Sequence, residues 1–200
     1  MIERSFQKGD AASVAVYSEC ERYRYSLTRT WGGDGHALFV MLNPSTATEQ
    51  QNDPTVERCE RRARALGFGA FTVCNIFAWR ETDPFKMRRA AEPVGPENDA
   101  AIVAACAAAD TLICAWGTHG AHLDRGAEVE TLLRAAGRPL YHLGLSTSTS
   151  SNPTSGTPGR TAMSLLLAIS RPSSPSKLGE NDISTASGSR SVSRFTFRVS

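Results

Sequence analysis

The chain has 200 residues, is 40% hydrophobic and 21% charged, and carries a net charge of +2, values that fit a soluble globular protein of one domain, or one domain with a tail. No run approaches the ~20 apolar residues that a membrane span needs, so no membrane partner is expected. The first ten residues, MIERSFQKGD, lack the apolar centre of a signal peptide, and a cytoplasmic location is expected.

The charge is unevenly spread. Residues 146–200 hold six basic and two acidic residues, a net +4, whereas residues 1–145 hold 16 basic and 18 acidic residues, a net −2. A segment of that sign does not suit tight non-specific binding to long duplex DNA, which needs many phosphate contacts. The five cysteines, Cys20, Cys59, Cys74, Cys106 and Cys114, are odd in number and show no CxxC spacing. That favours neither a disulfide frame nor a zinc site, and no cofactor is expected.

In chain order, Ser13 to Thr30 alternates with period two and suggests an antiparallel strand pair. WGGDGH is a glycine-rich turn. ALFVML is a short all-apolar run, as in a strand covered on both faces. DPTVERCERRARALG reads as a helix with Asp53 as its cap, Pro54 in its first turn and Gly67 after its end. Val56, Cys59, Ala63 and Leu66 form its apolar stripe. AFTVCNIF is a second buried strand, and Pro96 opens a helix through AAIVAACAAA. TLICAW is a third strand, GAEVETLLRAAG a helix closed by Gly137, and RPLYHLGL a fourth strand.

This alternation predicts an α/β fold, a three-layer α/β/α sandwich with a mostly parallel central sheet, over residues 1–145. Residues 146–200 differ sharply, with 16 Ser and 7 Thr among 55 residues. Such composition cannot offset the entropy of ordering a chain, so this tail is expected to be disordered or to result from a reading-frame change.

In open α/β sheets ligands bind beyond the carboxyl ends of the strands. Three exits are expected to converge there. The first is Asn43-Pro44-Ser45-Thr46, where Pro44 fixes the direction of Asn43. Its carboxamide is a candidate for orienting a water or reading a polar ligand edge, against plain turn chemistry. Asp53 lies nearby; beside its capping role, its carboxylate is a candidate for holding a water or a metal. The second exit carries Asn75, Phe77, Trp79 and Arg80: two rings that can stack on a flat ligand or fill core, and a guanidinium that can meet a phosphate. The third carries Trp116, Gly117 and His119, with His119 a candidate general acid or an ordinary surface residue. Asn98 and Asp99, at a helix start, are candidates to face the same hollow. His119 and His122 lack an evident third ligand, so no metal is expected. The absence of GxxxxGK[ST] and GxSxG argues against a P-loop nucleotidase and an α/β-hydrolase.

The segments FVMLNPSTA, NDPTVERC, GFGAFTVCNIFAWRETDP, PVGPENDAAI and AWGTHG, in this order, resemble the bacterial and phage family called domain of unknown function 1643, over roughly residues 20–145. That family is distantly similar to the uracil-DNA glycosylase superfamily, which implies a uracil-DNA-glycosylase-like fold. Leu42-Asn43-Pro44 resembles the first glycosylase motif, Gly-(Ile/Met)-Asn-Pro-Gly, with Ser45 in place of the last glycine. The resemblance implies that Asn43 positions the water that attacks the sugar carbon, while a second loop stabilises the departing base. The His-Pro segment that should form this second loop does not follow Leu140 to Leu145; Asn152-Pro153-Thr154 is a weak substitute. The expected function is handling of nucleic acid or nucleotides, with hydrolysis of an N-glycosidic bond as its enzymatic form. The alternatives are a non-catalytic nucleotide- or base-binding module and an inactive remnant.

Overall fold

The computed structural model describes residues 1–143. Seven strands form one sheet: β1 (Ile2–Lys8), β2 (Ala11–Tyr17), β3 (Arg24–Thr30), β4 (His36–Met41), β5 (Ala70–Asn75), β6 (Thr111–Ala115) and β7 (Leu140–His142). The helices are α1 (Pro54–Ala65), α2 (Pro84–Met87), α3 (Asn98–Ala108) and α4 (Arg125–Ala135). A 3-10 stretch at Thr118–Asp124 leads into α4. The expectations for residues 146–200, including Asn152-Pro153-Thr154, lie outside the described residues.

The sheet order is β1-β2-β3-β5-β4-β6-β7. Strands β5, β4, β6 and β7 are parallel, as the strand–helix alternation requires. The other half is not: β1, β2 and β3 form an antiparallel meander, and β3 joins β5 antiparallel. The sheet is therefore mixed, and the parallel arrangement expected of it holds for its β5-β4-β6-β7 half. The meander uses hairpins that need no crossover helix, so it adds strands without adding layers.

Helix α1 covers one face, packing Val56, Cys59 and Ala63 against Phe39, Phe71 and Val73. Helices α3 and α4 cover the other, where Ile102, Val129 and Leu133 meet Leu38, Val40, Cys74 and Leu112. The alternation within β4 sends Phe39 to one core and Leu38 and Val40 to the other, which is why the whole run is apolar. Asp53 caps α1 as expected, accepting from the N–H groups of Thr55 at 2.9 Å and Val56 at 2.8 Å. Among the described residues no helix is long and apolar enough to cross a membrane.

The loop between β4 and α1 covers the sheet on the α1 side and exposes an unusual solution to a backbone problem. Its carbonyls lie against β2 and β3 with no strand to pair them, and buried carbonyls need donors. Two arginines of β3 supply them. The Arg24 guanidinium donates to the Ala47 carbonyl at 2.7 Å, and Arg29 donates to the Thr48 carbonyl at 2.7 Å and to Asn52 Oδ1 at 3.0 Å. Ser13 donates to the Glu49 carbonyl, and Tyr17 to a Glu49 carboxylate oxygen at 3.0 Å. Arg24 and Arg29 are fully buried. Burial pulls the Arg24 guanidinium down to about 10, with Asp53 as the leading charge acting in the opposite direction.

Candidate functional site

Beyond the carboxyl ends of β4 and β5 the two chains continue side by side. The Ile76 N–H donates to the Met41 carbonyl at 2.8 Å, Phe77 to Leu42 at 3.0 Å and Glu81 to Pro44 at 2.9 Å. Strand β3 approaches from the other side: an isolated antiparallel bridge pairs Tyr23 with Trp79, and the Arg80 N–H donates to the Arg22 carbonyl at 2.9 Å. These pairings place residues from three chain segments around one open cleft of about 500 Å3, lined by Glu21, Arg22, Ser45, Thr46, Trp79, Arg80, Glu81 and Thr82.

Trp79 is half-buried, braced edge-on by Tyr23 at 5.4 Å between centroids, with the Arg22 guanidinium 5.5 Å over its ring. Arg80 is tethered by donation to the Glu21 carbonyl at 3.1 Å and lies 5.2 Å over the Tyr17 ring. Its Nε is buried without a partner. Glu81 accepts from the Thr82 and Asp83 N–H groups, and the Asp83 N–H leads the effects that hold its carboxyl below its ordinary value. Beside the cleft, Cys20 is exposed. Ser18, 3.4 Å away, is the main cause lowering its thiol to about 7, followed by Arg22.

Asn43 is half-buried at the base of this arrangement but does not itself line the cleft. Its Nδ2 donates to the Glu81 carbonyl at 2.6 Å and the Pro44 carbonyl at 3.1 Å. Two carbonyl acceptors determine which end of the carboxamide faces them. Oδ1 is left with no hydrogen bond to any described residue.

Several expected site residues serve the scaffold. Phe77 is fully buried in the core on the α3 and α4 side, so it is not a stacking surface. Pro44 is also buried. Asn98 is fully buried, and its Nδ2 donates to the carbonyls of Asn75 at 2.9 Å and Ile76 at 3.1 Å. Arg125 donates to the same Ile76 carbonyl at 2.9 Å and pairs with Asp99. This is a buried lock on the end of β5, where the Oδ1 atoms of Asn75 and Asn98 have no partner. Asp53 is 7% exposed and spends its carboxylate on capping.

The third exit is separate. Trp116 packs beneath the 3-10 stretch, and Gly117 leads into it with φ of 65°. His119 lines a second cleft of about 420 Å3 with Arg88, Thr118, Ala121, His122 and Leu123. The three exits thus make two clefts, not one. The sequence reading missed Arg22 and Arg88; Arg22 lies in a polar turn and Arg88 in an unassigned segment, and neither position carries a local pattern that singles it out. Among the described residues no group of three or more His, Cys, Asp or Glu could hold a metal ion.

A mixed-sheet α/β domain with ligand-sized hollows at the ends of its strands is the class that the fold and these clefts define. Within that class the chain belongs to the family described as protein of unknown function (DUF1643), whose model matches residues 24–153. Neither the curated proteins nor the solved structures contain a match to it.

Proposed function

We propose that this domain binds a nucleotide in the cleft between the β4 and β5 exits. The observation that carries the reading is the Trp79 indole flanked by Arg22 and Arg80, with the Ser45 and Thr46 hydroxyls on the facing segment. An indole with one face free for a base stacks on any base, and guanidiniums bind phosphate oxygens in forked geometry. The bound base takes the face of Trp79 that the exposed Arg22 covers in the free protein, and Arg22 moves to the phosphate. The small net negative charge of residues 1–145 supports a small ligand over a long duplex.

Calorimetric titration with nucleoside monophosphates and short single-stranded oligonucleotides tests this. Stacking of ~1–3 kcal/mol predicts that Trp79→Ala weakens binding about five- to 150-fold. Absence of saturable binding, or unchanged affinity in Trp79→Ala, rejects the reading.

A second reading, hydrolysis of an N-glycosidic bond in the manner of the uracil-DNA glycosylases, is favoured by the unpartnered Oδ1 of Asn43. A carboxamide anchored through Nδ2 can accept a hydrogen bond from water and aim it. The water oxygen forms the new bond to the sugar carbon while the base leaves with the electrons of the C–N bond, and the proton that the water sheds ends on the departed base anion through solvent. Incubation with DNA containing uracil, followed by alkali, yields strand breaks that Asn43→Ala abolishes; no breaks with the wild-type protein leaves the binding module.

A further inference from the structure

We propose that the second cleft, at the end of β6, is an oxyanion site that takes a phosphate group, independent of the nucleotide cleft. Four polar side chains line it: Arg88, Thr118, His119 and His122. Among the described residues none of these side chains makes a hydrogen bond or ion pair with the protein. By contrast, Arg24, Arg29, Arg64 and Arg125 are all tied to carbonyls or carboxylates. The two imidazoles are braced through their rings: His119 meets Phe85 edge-on at 5.5 Å, and His122 lies against Phe77 at 5.6 Å. Their packing is satisfied by carbon, while the ring nitrogens remain available.

The frame of the cleft is fixed. A Cβ on Gly120 would overlap the Trp116 indole, and one on Gly126 would sit 2.8 Å from Trp116 Nε1, so the indole meets the backbone at both positions. The segment then carries two consecutive non-glycine residues in the left-handed region, Leu123 (φ 54°) and Asp124 (φ 53°). Each such residue costs about 1–3 kcal/mol, and strain of this kind gathers at ligand sites. Charge agrees with an anion. Lys86, Arg88 and Arg89 lie at and just past the end of α2, whereas Asp83, the acid at its start, caps the helix through the Phe85 N–H. Phe85 and Leu123, 62% and 59% exposed, add apolar surface around the cleft for whatever carries the phosphate. A guanidinium, a hydroxyl and imidazoles are donors suited to a phosphoryl group.

The test titrates the full chain with inorganic phosphate, a nucleoside 5′-monophosphate and the matching nucleoside, following the imidazole NMR signals of His119 and His122, assigned with His119→Gln and His122→Gln. Saturable shifts with phosphate are expected. Arg88→Gln should weaken binding at least tenfold without moving the unfolding midpoint, since Arg88 supports nothing in the fold. Trp79→Ala and Arg22→Gln should leave it unchanged, which separates this site from the nucleotide cleft. Saturation by phosphate alone identifies free phosphate as the ligand; saturation by both phosphate and the monophosphate identifies a carried phosphate. Linear shifts, shifts reproduced equally by chloride, or an affinity unaltered in Arg88→Gln would overturn the assignment.

Discussion

Replacing Asn43 separates its two roles, because its Nδ2 and Oδ1 atoms face different tasks. Nδ2 ties the β4 exit to the β5 exit through the Glu81 carbonyl at 2.6 Å, beside the Glu81–Pro44 backbone bond at 2.9 Å. A neutral hydrogen bond nets about 0.5–1.5 kcal/mol. The bond to Pro44 is one residue away and adds little beyond local order. Asn43 is half-buried, so water can partly replace the lost donor. Asn43→Ala should therefore cost about 1 kcal/mol. Asn43→Asp should cost more at neutral pH, since a carboxylate would face two carbonyl oxygens. Those acceptors favour the protonated acid and raise its pKa above the unfolded value. An acid with a raised folded pKa holds its stabilising contribution at low pH and loses it as pH rises. Asn43→Asp should thus recover stability relative to the native protein as pH falls from neutral towards about 4, with the recovery complete once pH is below the ordinary aspartate range. Urea unfolding from pH 3.5 to 8, with the slope held common, measures both. If Asn43→Ala costs nothing, or Asn43→Asp follows Asn43→Ala at every pH, Nδ2 does not face these carbonyls. The free Oδ1 on which the hydrolytic reading rests is then lost too.

Two other outcomes follow from the same geometry. Cys20, lowered to about 7, should alkylate with iodoacetamide along a rate profile that levels off by about pH 8, while Cys59, Cys74 and Cys114, pushed up to about 12 by burial, stay unmodified in the folded protein. Peptide mass spectrometry reads this, Arg22→Gln should move the midpoint upward, and a rate still climbing above pH 9 contradicts it. Gly120→Ala should destabilise by about 1–3 kcal/mol through overlap with the Trp116 indole and should weaken phosphate binding at the second cleft; an unchanged melting curve refutes the packing argument.

The central strands and α1 were legible because their signals are local. A run such as Ala37 to Val40 has no polar residue to place, and α1 carries its own start and stop. Strand β1 was not legible. Its interior residues, Glu3 to Gln7, are exposed on both faces at the sheet's edge, so burial never wrote a period of two into them. Phe77, open to either stacking or core in the sequence, is core for a related reason: two residues past the end of β5 the chain still pairs with the β4 exit, so burial continues to the last residue of the AFTVCNIF run.

The same logic bears on the polar segment from Asn43 to Asp53. Polarity after a core strand invites a catalytic reading, yet most of this segment is accounted for by covering the sheet. It has no regular structure of its own, so its buried carbonyls must take donors from elsewhere, and β3 provides two guanidiniums at Arg24 and Arg29. Arg29 shares a face with Leu27, a parity that hints at its burial; Arg24 reaches the buried side beside the bulge opposite Val16 and Tyr17, where parity gives no guidance. Asp53 and Glu49 are likewise spent on capping and on Tyr17. Apart from the exposed amides of Gln50 and Gln51, what remains uncommitted is small: the Oδ1 of Asn43 and the hydroxyls of Ser45 and Thr46 at the cleft. A functional reading of this exit rests on those three groups, because, the exposed Gln50 and Gln51 amides aside, the rest of its polarity is already employed in keeping the loop folded.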